Sequence, residues 1–267
     1  MIGKHHLKNK LVLIKAEQTH QQIRCVEAVI EAGGNPILIG SDMSKISEGA
    51  KEVNKQYLTN TFISSIDTTD EQAVIKLKDT IFSRYKKYPH ILINDSALEM
   101  QYHDLDNNNS KLDEIMIEKW HRIIREELTS ALLLVKIFGY QMAKRNDGVI
   151  INILSDIYLN PKGNIINSMN KIDYISLITL TNGLLGLSKY IATYWNEENV
   201  RSNSLTIGAS QVNSFLEKDK DDLLNQIPIG RFANNDEYKD AIIFLASDAS
   251  SYMTGTNLEI NGGRTCW

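Results

Sequence analysis

The stretch from Lys10 to Ile39, KLVLIKAEQTHQQIRCVEAVIEAGGNPILI, decides the fold class. Its first five residues form a short apolar run that is typical of a buried strand. Residues 20–32 place apolar side chains at helical spacing, and a pair of glycines then marks a helix stop before a second apolar run at 36–39. A buried strand, an amphipathic helix and another buried strand predict one repeat unit of a parallel β-sheet.

The same alternation continues to the end of the 267-residue chain. Further strands are expected at 61–66, 90–94, 149–153, 200–205 and 257–260, and helices near 70–85 and over 114–145, 174–196 and 236–246. Right-handed crossovers then predict an α/β fold, a Rossmann-type doubly wound parallel sheet of about seven strands with helices on both faces. Because neither a repeat nor a linker interrupts the pattern, a single domain is expected over 1–267.

Composition excludes several classes of partner. The net charge is −4 and the isoelectric point is about 5.9, so there is no basic footprint for nucleic acid or anionic membranes. The sequence shows no membrane-spanning run and no signal peptide, and we expect a cytoplasmic protein. Cys25 and Cys266 lie far apart, and the His5–His6 pair has no third ligand at fitting spacing, so no metal site is predicted.

Six segments carry a pattern that spans nearly the whole chain. They are DTTD at 67–70, GVIINILS at 148–155, GLLGLSKYIATYW at 183–195, IPIGRFA at 227–233, AIIFLASDASSYMTG at 241–255 and NGG at 261–263. Together they resemble the short-chain dehydrogenase/reductase family. The resemblance implies the predicted fold, an NAD(P)-dependent oxidoreductase activity on a carbonyl or alcohol, and assembly as dimers or tetramers.

The phosphate-binding turn of that family is altered in this chain. The family pattern is roughly T-G-x-x-x-G-x-G, and here it falls on the segment that starts at Lys15, with Ala16, His20 and Gln22 at the three glycine positions. Side chains at these positions are expected to occupy the space of a pyrophosphate, and Glu17 adds a negative charge. An alternative is that Lys15 or His20 holds another anion.

Other cofactor positions are partly kept. The resemblance assigns cofactor contacts to Asp67, after the third strand, and to Asn94, where N-D-S-A replaces the family's N-N-A-G. The ribose-binding acid falls near Gly40, with Asp42 offset from it. From these changes the sequence predicts that no cofactor binds, with NAD or NADP as the cofactor if the chain is active.

The catalytic positions implied by the resemblance are also changed. Ser155 matches the family's active-site serine. The tyrosine position falls on Leu177 and the lysine position on Thr181; if Tyr174 is the true tyrosine instead, the lysine position falls on Ile178. The ordinary pKa of a tyrosine is about 10, so a tyrosine that lacks its neighbouring lysine is expected to be a poor base at neutral pH.

One further position concerns acid–base chemistry. The family's active-site asparagine falls on Glu127, and Asp156 follows Ser155 directly. These two carboxylates could form an acid–base couple. The alternative is that both are polar residues at a wet cleft.

The sequence therefore favours a non-catalytic member of the family that acts as a structural or regulatory subunit, or as a ligand-binding protein. The alternative is an active NAD(P)-dependent oxidoreductase on a sugar-like alcohol or ketone. The strings ATYW at 192–195 and GGRTCW at 262–267 resemble the branch of the family associated with bacterial surface-sugar and flagellin-glycan biosynthesis.

Assembly is expected from the parts of the chain that kept the family pattern. The helices at 114–145 and 174–196 correspond to one usual interface, and the terminal Trp267 fits a buried anchor. The aromatic cluster that ends at Trp195 is expected in the core or at a subunit interface. The predicted state is a homodimer or homotetramer, or a hetero-oligomer with an active relative.

Overall fold

Seven parallel strands form one sheet in the order β3-β2-β1-β4-β5-β6-β7. The computed structural model describes residues 6–15, 19–96, 117–159, 171–209 and 217–266. The strands are β1 (Leu11–Lys15), β2 (Asn35–Gly40), β3 (Phe62–Ser65), β4 (Ile91–Asp95), β5 (Gly148–Ser155), β6 (Val200–Ile207) and β7 (Asn257–Ile260). Strand order reverses between β1 and β4, so the predicted doubly wound parallel sheet is confirmed.

Helices cover both faces of this sheet. They are α1 (Thr19–Glu31), α2 (Met43–Tyr57), α3 (Glu71–Tyr85), α4 (Ile117–Ile123), α5 (Ser130–Leu134), α6 (Tyr140–Arg145), α7 (Lys171–Tyr194), α8 (Glu217–Leu224) and α9 (Lys239–Ala246). Successive strand residues point to opposite faces. Accordingly, Leu11 and Leu13 of β1 pack in a cluster with α3, α5 and α6, whereas Val12 and Ile14 pack with α1, α2 and α9.

One long helical run between β4 and β5 is not a uniform α-helix. Two π-helical segments, Ile124–Thr129 and Val135–Gly139, separate α4, α5 and α6. A π-helical turn inserts an extra residue into the helix and is frequently found at functional sites. The first of these segments carries Glu127, which lies over the carboxyl end of the sheet.

The strands and helices that the sequence predicts agree with those of the described residues within a few residues at each end. Two helices of the structure, α2 and α8, were not predicted, because both are rich in charged and polar residues. By length and composition, Ile175–Tyr194 could also cross a membrane, which the sequence analysis did not anticipate. In this fold, however, Leu177, Leu180 and Leu184 of that segment are buried in an apolar cluster.

Candidate functional site

The carboxyl ends of β1, β4 and β5 bring the predicted site residues to one edge of the sheet. Lys15 ends β1 and lies opposite Asn94 of β4, and Ser155 ends β5. Because the strand order reverses between β1 and β4, this edge contains the topological switch point of the fold. Open α/β sheets bind their ligands outside the strands' carboxyl ends at such a point.

A buried ion pair occupies the switch point. Lys15 Nζ lies 2.6 Å from Glu127 Oε2, and the two side chains are 1% and 5% exposed. Ser96 Oγ donates a second hydrogen bond, of 2.8 Å, to the same carboxylate oxygen. The pair joins β1 to the first π-helical segment and to the residue that follows β4. An ammonium group is thus held at the edge of the sheet, at the place where ligands bind in this fold.

A polar crevice extends from Glu127 along the carboxyl ends of β2 and β3. It has a volume of about 970 Å³, and its lining includes Ser41, Ser65, Asp67, Thr69, Arg122, Arg125 and Glu127. The Asp67 carboxylate accepts hydrogen bonds from the Thr69 hydroxyl and backbone N–H, and these bonds lower its pKa. The crevice thus has the size, and the mixture of charged and hydroxyl groups, to hold one part of a nucleotide.

Asn94 is turned into the interior of the protein. Its side-chain Nδ2 donates a 2.9 Å hydrogen bond to Asn152 Oδ1, and Asn152 Nδ2 donates a 2.8 Å hydrogen bond to the Ser188 hydroxyl. Asn94 Oδ1 is buried, and within the described parts of the chain it has no hydrogen-bond partner. A buried acceptor of this kind is uncommon in folded proteins and calls for an explanation.

Ser155 and Asp156 lie where β5 ends. Ser155 is half-buried, and Asp156 is fully buried with its carboxylate 3.4 Å from a guanidinium nitrogen of Arg264. Burial raises the pKa of Asp156 to about 6, while the charge of Arg264 acts in the opposite direction. Glu127 instead pairs with Lys15 and Ser96, so the two carboxylates proposed as an acid–base couple have different partners.

Helix α7 carries the positions that the resemblance assigns to the tyrosine and lysine. Leu177 and Thr181 are 4% and 3% exposed, and Leu177 packs in an apolar cluster that includes Leu180. The backbone of Tyr174 lies in the first turn of the same helix, and its side chain is outside the described residues.

The altered phosphate turn is only partly described. Ala16 and Glu17 lie outside the described residues, as do the side chains of His20 and Gln22, whose backbone belongs to α1. In the parts that are described, no group of three or more histidine, cysteine or carboxylate side chains suits a metal ion. The sequence analysis assigned Lys15 to the phosphate-binding turn and Glu127 to the position of the family's asparagine. Because the two residues are 112 positions apart, no local sequence pattern indicated that they form an ion pair.

The sheet order and the crevice at the carboxyl ends of β2 and β3 are typical of the Rossmann class of ligand-binding α/β proteins, and comparison with known proteins specifies the family. A family model described as enoyl-(acyl carrier protein) reductase matches residues 23–265. The 3-oxoacyl-(acyl-carrier-protein) reductase of Buchnera aphidicola is 30% identical over 232 residues, which cover 82% of this chain and 84% of that protein. The chain therefore belongs to the short-chain dehydrogenase/reductase family.

Further relatives and solved structures extend the likeness to full length. The 2-dehydro-3-deoxy-D-gluconate 5-dehydrogenase of Bacillus subtilis is 27% identical, over 96% of this chain and 95% of that protein. A gluconate 5-dehydrogenase from Burkholderia cenocepacia, solved with NADP and tartrate, has a TM-score of 0.82 at 21% identity and covers 100% of this chain and 99% of its own. A 3-oxoacyl-(acyl-carrier protein) reductase from Brucella melitensis, solved with NAD, has a TM-score of 0.79 at 17% identity. The match covers 98% of this chain and 93% of that protein.

These findings overturn two predictions made from the sequence. The prediction of a non-catalytic subunit and the prediction of no cofactor are both wrong, because the relatives are named reductases and dehydrogenases and two structural neighbours hold NADP or NAD. The error lay in treating each family position as irreplaceable.

Proposed function

We propose that this chain is an NAD(P)-dependent oxidoreductase that interconverts a carbonyl and an alcohol. The observation that carries the proposal is the polar crevice that leads to the switch point of the sheet, in a chain that matches an oxidoreductase family over residues 23–265. The crevice fits the polar adenosine part of a dinucleotide, with Asp67 and Thr69 at one end and Glu127 at the other. When bound, the nicotinamide coenzyme supplies or accepts the hydride.

The protein's own groups would hold the substrate and move a proton. The half-buried Ser155 hydroxyl, at the end of β5, is proposed to hydrogen-bond the substrate oxygen. Reduction of a carbonyl also needs one proton at that oxygen, and Tyr174, in the first turn of α7, is the proposed donor. In the oxidation of the alcohol, the deprotonated oxygen of the same side chain would take the proton back.

Coenzyme titration and turnover test this proposal. NADH or NADPH added to the protein should produce saturable quenching of tryptophan fluorescence, and a panel of ketones should be reduced.

Ser155→Ala should lower kcat by about 100-fold, because one substrate hydrogen bond and its part in proton transfer are lost, while the affinity for coenzyme stays unchanged. Ser250→Ala serves as a buried-serine control, because the Ser250 hydroxyl donates to backbone carbonyl oxygens of α9. The absence of saturable binding by either coenzyme would refute the proposal.

We propose a sugar-like hydroxy acid or ketone as the substrate. Two of the proteins compared are named for gluconate-type substrates, and others are named 3-oxoacyl reductases. A panel that pairs keto-gluconates with an acetoacetyl thioester separates the two classes. Faster reduction of the keto-sugar acids would support the proposal, and faster reduction of the thioester would contradict it.

We further propose a cytoplasmic homo-oligomer. The helices around Tyr194 present an exposed aromatic surface, in which Tyr190 and Tyr194 are 61% and 59% exposed and stack with their ring centres 5.6 Å apart. Tyr140, which is 49% exposed, lies on the neighbouring helix and lines the same 890 Å³ groove. Exposed apolar patches of this kind commonly mark protein interfaces.

A charge placed on this surface should disrupt assembly. Tyr194→Asp is expected to shift the protein from an oligomer to the 30.2 kDa monomer, because an unpaired carboxylate would be buried at the interface. Light scattering after size-exclusion chromatography measures the mass, and Tyr252→Asp, at a fully exposed tyrosine elsewhere, is the matched control. A wild-type mass of one chain would contradict the proposed assembly.

A further inference from the structure

Asp156 is a buried acidic residue whose presence stability does not explain. Its side chain is fully buried, and it directly follows Ser155, the last residue of β5. Within the described parts of the chain, neither of its carboxylate oxygens has a hydrogen-bond partner. A buried carboxylate in this state costs stability, and an apolar side chain of similar volume would cost less. An unfavourable group beside a candidate active-site residue points to a role in function.

Arg264 is the counter-ion of this carboxylate and belongs to the turn that follows β7. One terminal nitrogen of its guanidinium lies 3.4 Å from Asp156 Oδ1, and the Arg264 side chain is 9% exposed. The other terminal nitrogen donates a 3.1 Å hydrogen bond to Gln226 Oε1. The guanidinium therefore joins the end of β5 to the turn after β7 and to the residues that follow α8.

The backbone of the turn after β7 is itself held in place. Gly262 and Gly263 have φ angles of 65° and 85°, in the region that favours glycine. The Gly263 N–H donates a 3.0 Å hydrogen bond to Asn261 Oδ1. The Ile229 N–H donates a 3.2 Å hydrogen bond to the Gly262 carbonyl oxygen. Arg264 is thus presented to the buried carboxylate from a fixed turn.

The ion pair lies one residue from the hydroxyl that is proposed to hold the substrate. Ser155 pairs in register with Ile207 of β6, and Asp156 then begins a short 3₁₀ turn that runs to Tyr158. Successive Cα atoms are about 3.8 Å apart, so a movement of Asp156 also moves the backbone of Ser155. A misplacement of about 1 Å can cost an enzyme about 100-fold in rate.

We propose that Asp156 is a positioning residue, whose ion pair with Arg264 fixes the end of β5 and thereby the direction of the Ser155 hydroxyl. This inference rests on the proposed function, since it assumes that Ser155 holds the substrate oxygen. Asp156 and Arg264 act through Ser155 and are not assigned a contact with substrate or coenzyme. The turn after β7 becomes a support of the active site.

The pair should make turnover sensitive to acid. The Asp156 carboxylate interacts with the guanidinium of Arg264, the carboxylate of Glu259 on β7 and the phenol of Tyr238. Burial raises the pKa of Asp156 to about 6; Arg264 acts in the opposite direction and Glu259 in the same direction as burial. Below that value the carboxyl group is neutral and its attraction to Arg264 is lost, so kcat should fall in acid.

Steady-state reduction of 5-keto-D-gluconate and of an acetoacetyl thioester by NADPH and NADH, measured between about pH 5 and pH 8, tests this. Asp156→Asn should lower kcat at neutral pH by about 10- to 100-fold and abolish its fall in acid, while the Kd for the coenzyme stays at the wild-type value. Asp147→Asn is the matched control, because Asp147 pairs with Lys10 at 2.8 Å at the opposite edge of the sheet. Its kcat and pH profile should equal those of the wild type.

A double variant tests whether the two residues act as one pair. Arg264→Met should lower kcat as much as Asp156→Asn, and Asp156→Asn/Arg264→Met should lose no further activity, because members of a coupled pair are not additive. Should Arg264→Met fail to fold, the double variant, which buries neither charge, replaces it. A kcat equal to that of Asp156→Asn supports the pair, and a further loss overturns it.

Crystal structures of the wild type and of Asp156→Asn give a readout that does not depend on turnover. The Ser155 hydroxyl should be displaced by about 1 Å in the variant. A wild-type protein that reduces no ketone contradicts the proposed function, whatever the variant shows. An unmoved Ser155, or an active wild type whose kcat and pH profile Asp156→Asn reproduces, overturns the role assigned to Asp156.

Discussion

Lys15→Met is expected to lower the free energy of unfolding by about 3–5 kcal/mol, because it leaves the Glu127 carboxylate buried without its counter-ion. Ser96 still donates one hydrogen bond to that carboxylate, which is too little to replace the lost charge. Urea denaturation measures the change. The free energy of unfolding of a typical protein is about 5–15 kcal/mol, so the expected loss is about a third of the total.

A double variant shows whether this loss comes from the unpaired charge. Lys15→Met/Glu127→Leu replaces both charges with apolar side chains, and it should recover most of the lost stability. The coupling between the two sites is then the measured quantity. If the double variant is as unstable as the sum of the two single variants, the pair is not coupled, and the buried ion pair does not describe this site.

The second large effect concerns pH and involves Asp156. Its pKa is raised to about 6 by burial, whereas an unfolded aspartate titrates near 4. Between these two values the folded state binds more protons than the unfolded state, so this group's contribution to stability falls as pH rises. With 1.36 kcal/mol for each pKa unit, the loss is about 3 kcal/mol between pH 4 and pH 7.

Two variants should change this pH dependence in opposite directions. Asp156→Asn removes the titrating group and should flatten the fall in stability between pH 4 and pH 7. Arg264→Met should steepen it, because the guanidinium 3.4 Å from the carboxylate acts to lower the pKa of Asp156. Urea denaturation at unit pH steps supplies the slopes. An Asp156→Asn slope equal to that of the wild type would contradict the assignment.

Much of the fold follows from short-range patterns. The strands are four to eight residues long, and β1 (LVLIK), β2 (NPILIG) and β4 (ILIND) are predominantly apolar runs. The alternation of such runs with amphipathic helices favours a parallel sheet covered on both faces. Helix α2 escaped prediction because it buries only Ile46, Gly49, Ala50 and Val53. Its N-cap, Asp42, which accepts a 2.8 Å hydrogen bond from the Ser44 N–H, was the signal that could have located it.

The site was less predictable, because its central contact joins distant parts of the chain. The predicted first strand ended at Ile14, one residue short, so Lys15 was assigned to a loop and not to the sheet edge. Its partner Glu127 lies 112 residues further along, and no local pattern links the two. Loss of the family's tyrosine and lysine positions then suggested loss of activity, because the sequence alone does not show which side chains face the ligand crevice. The single-domain organisation stays a prediction.

The central claim is that a nicotinamide dinucleotide binds across the carboxyl ends of the strands, with its adenosine part in the crevice beside Asp67 and its nicotinamide near Ser155. A crystal structure of the protein soaked with NADP or NAD tests it most directly. The account predicts electron density that starts in the crevice beside Asp67 and Thr69 and reaches Ser155. Density for the dinucleotide elsewhere, or no density for it at all, would contradict the claim.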